Sequence, residues 1–191
     1  MAVPAREMGT ERRPAGLRPE VPGVRGVRIA WGALRDSRIP WPRRAALALA
    51  MAGPCGLSPI APATVGAAAG AVLAWAVTPS GPMIRAGLLV MLVIAGIRWG
   101  GIAEAVLGRK DPSALTLDEV AGAYLAALLV PPGLVEAAVV FVSFRVLDAL
   151  KPPPAGRLQS LPGGWGIVAD DLVCALYAAA LTRMALGFLG V

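Results

Sequence analysis

Histidine is absent from this chain, cysteine occurs only twice, and aromatic residues contribute 5% of its 191 positions. Without histidine there is no phosphohistidine chemistry, no Ser-His-Asp triad, no His-based zinc site and no haem held by an imidazole. Cys55 and Cys174 lie far apart, each inside apolar sequence, which favours buried small side chains over a disulfide or a metal pair. Neither is followed by Arg six positions on, so a cysteine-phosphatase loop is excluded. No Asp-x-Asp-x-Thr run and no Gly-rich loop ending in Lys-Ser/Thr occurs. The first thirty residues contain no apolar stretch with a small-residue cleavage site, which argues against a cleaved secretion signal. No period of repeat proteins is present.

What the chain has in abundance is apolar sequence. It is 57% hydrophobic with a mean hydropathy of +0.67, so the expected solvent is a bilayer. The net charge of +6 is unevenly placed: residues 1–44 hold ten Arg against four acids, whereas residues 45–191 hold eight cations and eight acids. The expected organisation is a disordered basic tail over 1–40, lying near an anionic membrane face, and one helical membrane domain over 41–191. No DNA- or RNA-binding pattern accompanies the arginines, so nucleic acid is not the expected partner.

Apolar length and helix breakers predict helices near 43–52, 65–77, 83–107, 117–130, 134–150 and 167–189. The expected fold is an all-α compact membrane bundle of about five or six helices, some spanning and some short or partly buried. The segment 83–107 is the clearest span, although Arg98 and Glu104 turn its second half toward water or protein. The Pro-rich run GLSPIAPATVG reads as a loop feeding a helix N-terminus, and Thr116 with Glu119 matches a capping box.

Outside the tail the acids are Glu104, Asp111, Asp118, Glu119, Glu136, Asp148, Asp170 and Asp171, and all but Glu104 fall at helix ends or in connecting loops. If consecutive helices pack antiparallel, Asp118, Glu119, Asp148, Asp170 and Asp171 gather on one side of the membrane. Clustered carboxylates without His or Cys suit a hard divalent ion such as Mg²⁺, and phosphate esters are natural substrates for such a site. Arg145 and Lys151 would contact phosphate oxygens, and the backbone at Thr64 to Gly66 offers a helix N-terminus to an anion.

Plainer roles are open to each residue. Asp118, Glu119, Asp170 and Asp171 sit where a helix dipole favours acids, and Arg145 with Asp148 forms an ordinary i, i+3 pair. Asp111 before Pro112 starts a turn, Glu136 reads as a solvated first-turn acid, and Arg98 as a snorkelling cation. A rival function is a small transporter or ion-conducting bundle using intramembrane carboxylates. It requires acids at mid-helix depth and gives no reason for Arg and Lys beside them.

Taken in order, GLSPIAPATVG, DPSALTLDEVAG, FRVLDALKPPP and LPGGWGIVADD resemble the phosphatidylglycerophosphatase A family of bacterial lipid phosphatases, over roughly residues 53–180. The resemblance implies removal of the terminal phosphate of phosphatidylglycerophosphate, giving phosphatidylglycerol, with Mg²⁺ required. It places Asp111, Asp118, Glu119, Asp170 and Asp171 at the metal, with Asp118, Glu119, Asp148 and Asp171 as catalytic positions. Thr64, Arg145 and Lys151 become substrate contacts. Which carboxylate binds metal and which orients water stays open.

The chain departs from the family pattern at three places. Ala63 stands where the family has Gly, Ala67 where it has Ser, and the loop after Pro154 lacks an Asp, with Gln159 nearby and Arg157 in place of the family's Arg. These changes keep an inactive membrane scaffold as a third reading. The expected location is the bacterial inner membrane with the site on the cytoplasmic face, since Arg109, Lys110 and Lys151 flank the acidic motifs. The oligomeric state is left open, a homo-oligomer included.

Overall fold

The computed structural model describes residues 22–189, and every regular element in that range is helical. The helices are α1 (Pro22–Arg35), α2 (Trp41–Ala50), α3 (Pro62–Ala76), α4 (Pro82–Leu107), α5 (Leu117–Leu128), α6 (Leu134–Leu150), α7 (Ala155–Leu158) and α8 (Gly164–Leu189), with a 3₁₀ turn at Cys55–Leu57. Proline sets several of the boundaries. It occupies the first turn of α2, α3 and α4, where its missing N–H costs nothing, and Pro131 and Pro132 follow the end of α5.

Six of the helices are those expected from the sequence; α1 and the short α7 are additional. The tail reading is corrected in part, because Pro22–Arg35 is helical where disorder was expected. Ala30 of α1 is fully buried in a cluster with Leu47, Met51 and Ala103, so tertiary contact stabilises a segment whose own apolar pattern is weak. The remainder of that expectation, residues 1–21, lies outside the described residues. α8 also begins three residues earlier than expected, so Asp170 and Asp171 stand nearly two turns inside it rather than in its first turn.

α4 and α8 are long and apolar enough to cross a membrane. At 26 residues each they extend about 39 Å, beyond the ~30 Å of hydrocarbon. Only 22% of the apolar window of α4 is buried inside the protein, and Val90, Met91 and Ile94 all point outward. An outer face of that kind is stable against lipid, not water.

The other helices pack through small residues, as intramembrane interfaces do. One cluster sets Ala67, Ala123, Ala126, Ala175, Ala178 and Ala179 around Phe144 and Val140. Gly70 brings α3 onto α5 so closely that a methyl group there would stand 2.3 Å from the Val120 carbonyl oxygen. Gly122 does the same for α5 against α6 and α8, lying under the Phe144 ring with Asp171 Cβ 3.1 Å from where its own Cβ would be. These approaches bring the acid-bearing ends of α5, α6 and α8 to one side of the bundle.

Candidate metal and phosphate site

α5 contributes Asp118 and Glu119 from its first turn, α6 contributes Arg145 and Asp148 from near its C-terminus, and α8 contributes Asp170 and Asp171. Asp111 enters from the α4–α5 connection. Asp118, Asp148, Asp170 and Asp171 are buried. One carboxylate oxygen from each of Asp118, Glu119 and Asp171 lies within 4.8 Å of the other two. Asp118 Oδ1, Glu119 Oε2 and Asp171 Oδ2 are enclosed without a hydrogen-bond partner, as is Asp170 Oδ1. Buried charges so placed cost several kcal/mol each, on the order of magnitude, unless a proton or a cation compensates them.

Asp118 and Glu119 share a side-chain hydrogen bond and lie outside the two span-length helices. Burial pushes the Glu119 carboxyl up to about 8, with the Asp171 charge adding to the effect. Burial likewise raises Asp118 well above the usual carboxylate range, and the Glu119 charge raises it further. The set therefore holds protons until a cation displaces them. Oxygen-only donors at this spacing fit a hard divalent ion such as Mg²⁺, and the orphaned oxygens are the lone pairs it would take.

Two cations stand beside the acids. Arg145 Nη1 donates to Asp148 Oδ2 at 2.6 Å, and Lys151 Nζ donates to Asp170 Oδ2 at 2.5 Å while lying 3.9 Å from Asp111 Oδ2. Burial works against the Lys151 charge, yet the Asp170 hydrogen bond outweighs it and holds the ammonium above its ordinary pKa. Lys151 and Asp111 both adopt left-handed backbone conformations, at φ 44° and 43°. That geometry costs a non-glycine residue roughly 1–2 kcal/mol, and at both positions it coincides with a side chain aimed into the acid cluster.

The structure thus brings together Asp118, Glu119, Asp148, Asp171, Arg145 and Lys151. Asp148 is within hydrogen-bonding reach of Asp171. Asp170 and Asp111, expected with the metal set, are drawn instead to Lys151, and Asp111 Oδ2 also accepts from Gln159 Nε2 at 2.6 Å. Thr64 lies in the first turn of α3, two residues before Gly66, whose Cα backs onto Thr116 and Glu119. The capping box is not formed: the Thr116 hydroxyl donates to the Met51 carbonyl at 2.7 Å, and Glu119 belongs to the acid cluster. Glu136 is at the far end of α6, and Glu104 accepts from the Asp111 backbone N–H at 3.3 Å and pairs with Lys110.

Three supports had no local signal in the sequence. Gln159 reaches Asp111 across 48 residues, Lys110 donates to the Leu161 carbonyl across 51, and the Tyr177 hydroxyl donates to the Pro153 carbonyl across 24. Together they tie the loop after α6 to the acid face. Only the family pattern, with an acid near position 159, pointed to that loop.

Comparison with known proteins agrees with this geometry. The family model described as phosphatidylglycerophosphatase A matches residues 48–186, which contain every carboxylate of the site. A Bacteroides thetaiotaomicron protein, provisionally named a phosphatidylinositol-3-phosphatase, is 30% identical over 145 residues, covering 71% of this chain and 89% of its own. The phosphatidylglycerophosphatase A of Escherichia coli K12 is 33% identical over 129 residues, 66% of this chain and 74% of its own. No solved structure gives a significant match.

Proposed function

Because the chain belongs to the phosphatidylglycerophosphatase A family, we propose that it hydrolyses the terminal phosphomonoester of phosphatidylglycerophosphate, releasing phosphatidylglycerol and inorganic phosphate. The observation that carries this reading is the set of unpartnered oxygens on Asp118, Glu119 and Asp171 beside Arg145 and Lys151. In the proposal the three acids hold Mg²⁺. Bound there, the ion would offset their mutual repulsion and polarise a phosphoryl oxygen.

The chain's own groups supply the rest. Arg145 and Lys151, already charged and poised by Asp148 and Asp170, exchange part of those contacts for phosphate oxygens, and Thr64 contacts the head group from α3. Asp148 stands outside the three-acid set yet next to Asp171, which suits it to orient the attacking water and take its proton. The new P–O bond forms in line with the breaking bond to glycerol, and the departing alkoxide leaves as the alcohol once protonated.

Cations support an orientation for the bundle. α1 and α2 lie against the α4–α5 connection, as the Gly26 contact with Ser113 and the Thr116 hydrogen bond to Ala50 show. Arg25, Arg35, Arg43, Arg44, Arg109 and Lys110 therefore sit at the acid end, while the opposite end carries Arg85 and Arg183. By the positive-inside tendency the site faces the cytoplasm, in the inner membrane of a bacterium.

The Bacteroides relative's name favours one alternative head group, a phosphorylated inositol lipid, with the same chemistry. The test is phosphate release by purified protein from phosphatidylglycerophosphate, phosphatidylinositol 3-phosphate and phosphatidic acid, with Mg²⁺ or with chelator. Release from the first substrate that needs Mg²⁺ and is lost in Asp118→Asn and Asp171→Asn is expected. Chelator-resistant release, or full activity in both variants, sinks the proposal.

A further inference from the structure

A second charged cavity lies outside the acid cluster, between the C-terminal half of α4 and the first turn of α8. Its volume is about 460 Å³, and Arg43 of α2 and Arg98 of α4 both line it. Neither guanidinium has a hydrogen bond or ion pair among the described residues, and both are exposed. Two uncompensated like charges at one cavity are unfavourable in the absence of an anion.

The rest of the lining is apolar. Ile97, Ile102, Ala105 and Val106 form one wall, and Trp165, 61% exposed, stands at the rim. Gly163 and Gly164 leave the floor without side chains, and Gly164 packs directly against the Ile97 carbonyl. One turn before Arg98 the wall continues into the outward-facing Ile94 and Met91 of α4, the surface that meets lipid. A ligand seated here would meet two phosphate-binding groups at its head and a lipid-facing apolar strip below. A tryptophan at the rim belongs to the membrane–water interface.

We propose that this groove is a binding site for an intact anionic bilayer phospholipid, its phosphate between Arg43 and Arg98 and its acyl chain along α4. Arginine pairs recognise phosphate through fork-shaped hydrogen bonding, and basic pockets between membrane helices hold lipid head groups. A free phosphate would leave the apolar wall unused, which selects the lipid over a soluble anion. The site is separate from the hydrolytic cluster, and binding there requires no turnover.

The experiment is native mass spectrometry of the full chain released from detergent, with added dioleoylphosphatidylglycerol or dioleoylphosphatidylcholine. Arg43→Gln/Arg98→Gln is expected to lower retention of phosphatidylglycerol by about tenfold, with phosphatidylcholine unchanged. Ala105→Trp, which fills the groove from an exposed helix position and removes no charge, is expected to lower it as well. Arg25→Gln/Arg109→Gln removes two exposed charges elsewhere and is expected to leave retention unchanged. Equal losses in both charge-removal pairs, no loss with Ala105→Trp, or complete displacement of the lipid by excess glycerol 3-phosphate would overturn the assignment. Phosphate release plays no part in the readout, so the outcome is independent of the hydrolysis proposal.

Discussion

Lys151, the residue that caps α6, donates to Asp170 of α8 at 2.5 Å, and Asp170 is 1% exposed. The bond joins two helix segments across a proline-blocked turn. It also spends one oxygen of an acid whose other oxygen has no partner.

Lys151→Met leaves that buried carboxylate uncompensated and is expected to cost about 3 kcal/mol of stability, with activity lost. Asp170→Asn in the same chain should restore much of the stability and none of the activity. Thermal unfolding of both single variants and the pair measures the coupling. Additive losses would show that the ion pair is not the stabilising contact.

The acids of α5 make metal-free stability depend on pH. Glu119 rises from an ordinary 4.5 to about 8 in the folded chain, so the native state holds its proton over that window while the unfolded chain does not. The contribution is fully present below the unfolded value and fades as pH rises through the folded one. The melting temperature of chelator-treated protein should therefore fall between about pH 5 and pH 8. Added Mg²⁺ should raise it more at the upper end, because the ion displaces protons. A Mg²⁺ increment that shrinks with rising pH contradicts the three-acid site.

Gln159 is the chain's own support for Asp111. Gln159→Leu removes a hydrogen bond to a carboxylate and should cost about 1.5 kcal/mol, read as reduced kcat/KM. Gln159→Asp, which returns the acid usual in the family, sets like charges against each other here and should be the more damaging. Rates that rank the other way would show that Asp111 does not depend on this contact.

Gly70→Ala places a methyl 2.3 Å from the Val120 carbonyl oxygen and forces α3 away from α5, at a cost of about 2 kcal/mol. Gly32→Ala in α1, with open space around it, should be neutral or stabilise by up to about 1 kcal/mol. Denaturation midpoints in detergent decide between these. A neutral Gly70→Ala would mean that the α3–α5 contact is not close-packed.

Six helices were legible because apolar length and proline mark helix limits through short-range chemistry. α1 was not, since what holds Ala30 in place is Leu47, Met51 and Ala103, remote in sequence. The acids were legible as a group because carboxylates in apolar company are costly wherever they fall. The partition among them was not. Thr116 and Glu119 match a local capping pattern, yet the hydroxyl goes to Met51 and the carboxylate to Asp171's neighbourhood, because tertiary partners compete successfully with a cap.

By itself, then, the sequence determined the solvent, the helical class, the absence of imidazole and thiol chemistry, and the roster of acids and cations. Each of these follows from composition or from spacing within a turn or two. Only the tertiary structure decided that Asp118, Glu119 and Asp171 form one oxygen cluster while Asp111 and Asp170 turn to Lys151. That division depends on how closely Gly70 and Gly122 let α3, α5, α6 and α8 approach, and interhelical distances of a few ångströms are set by packing across the whole bundle.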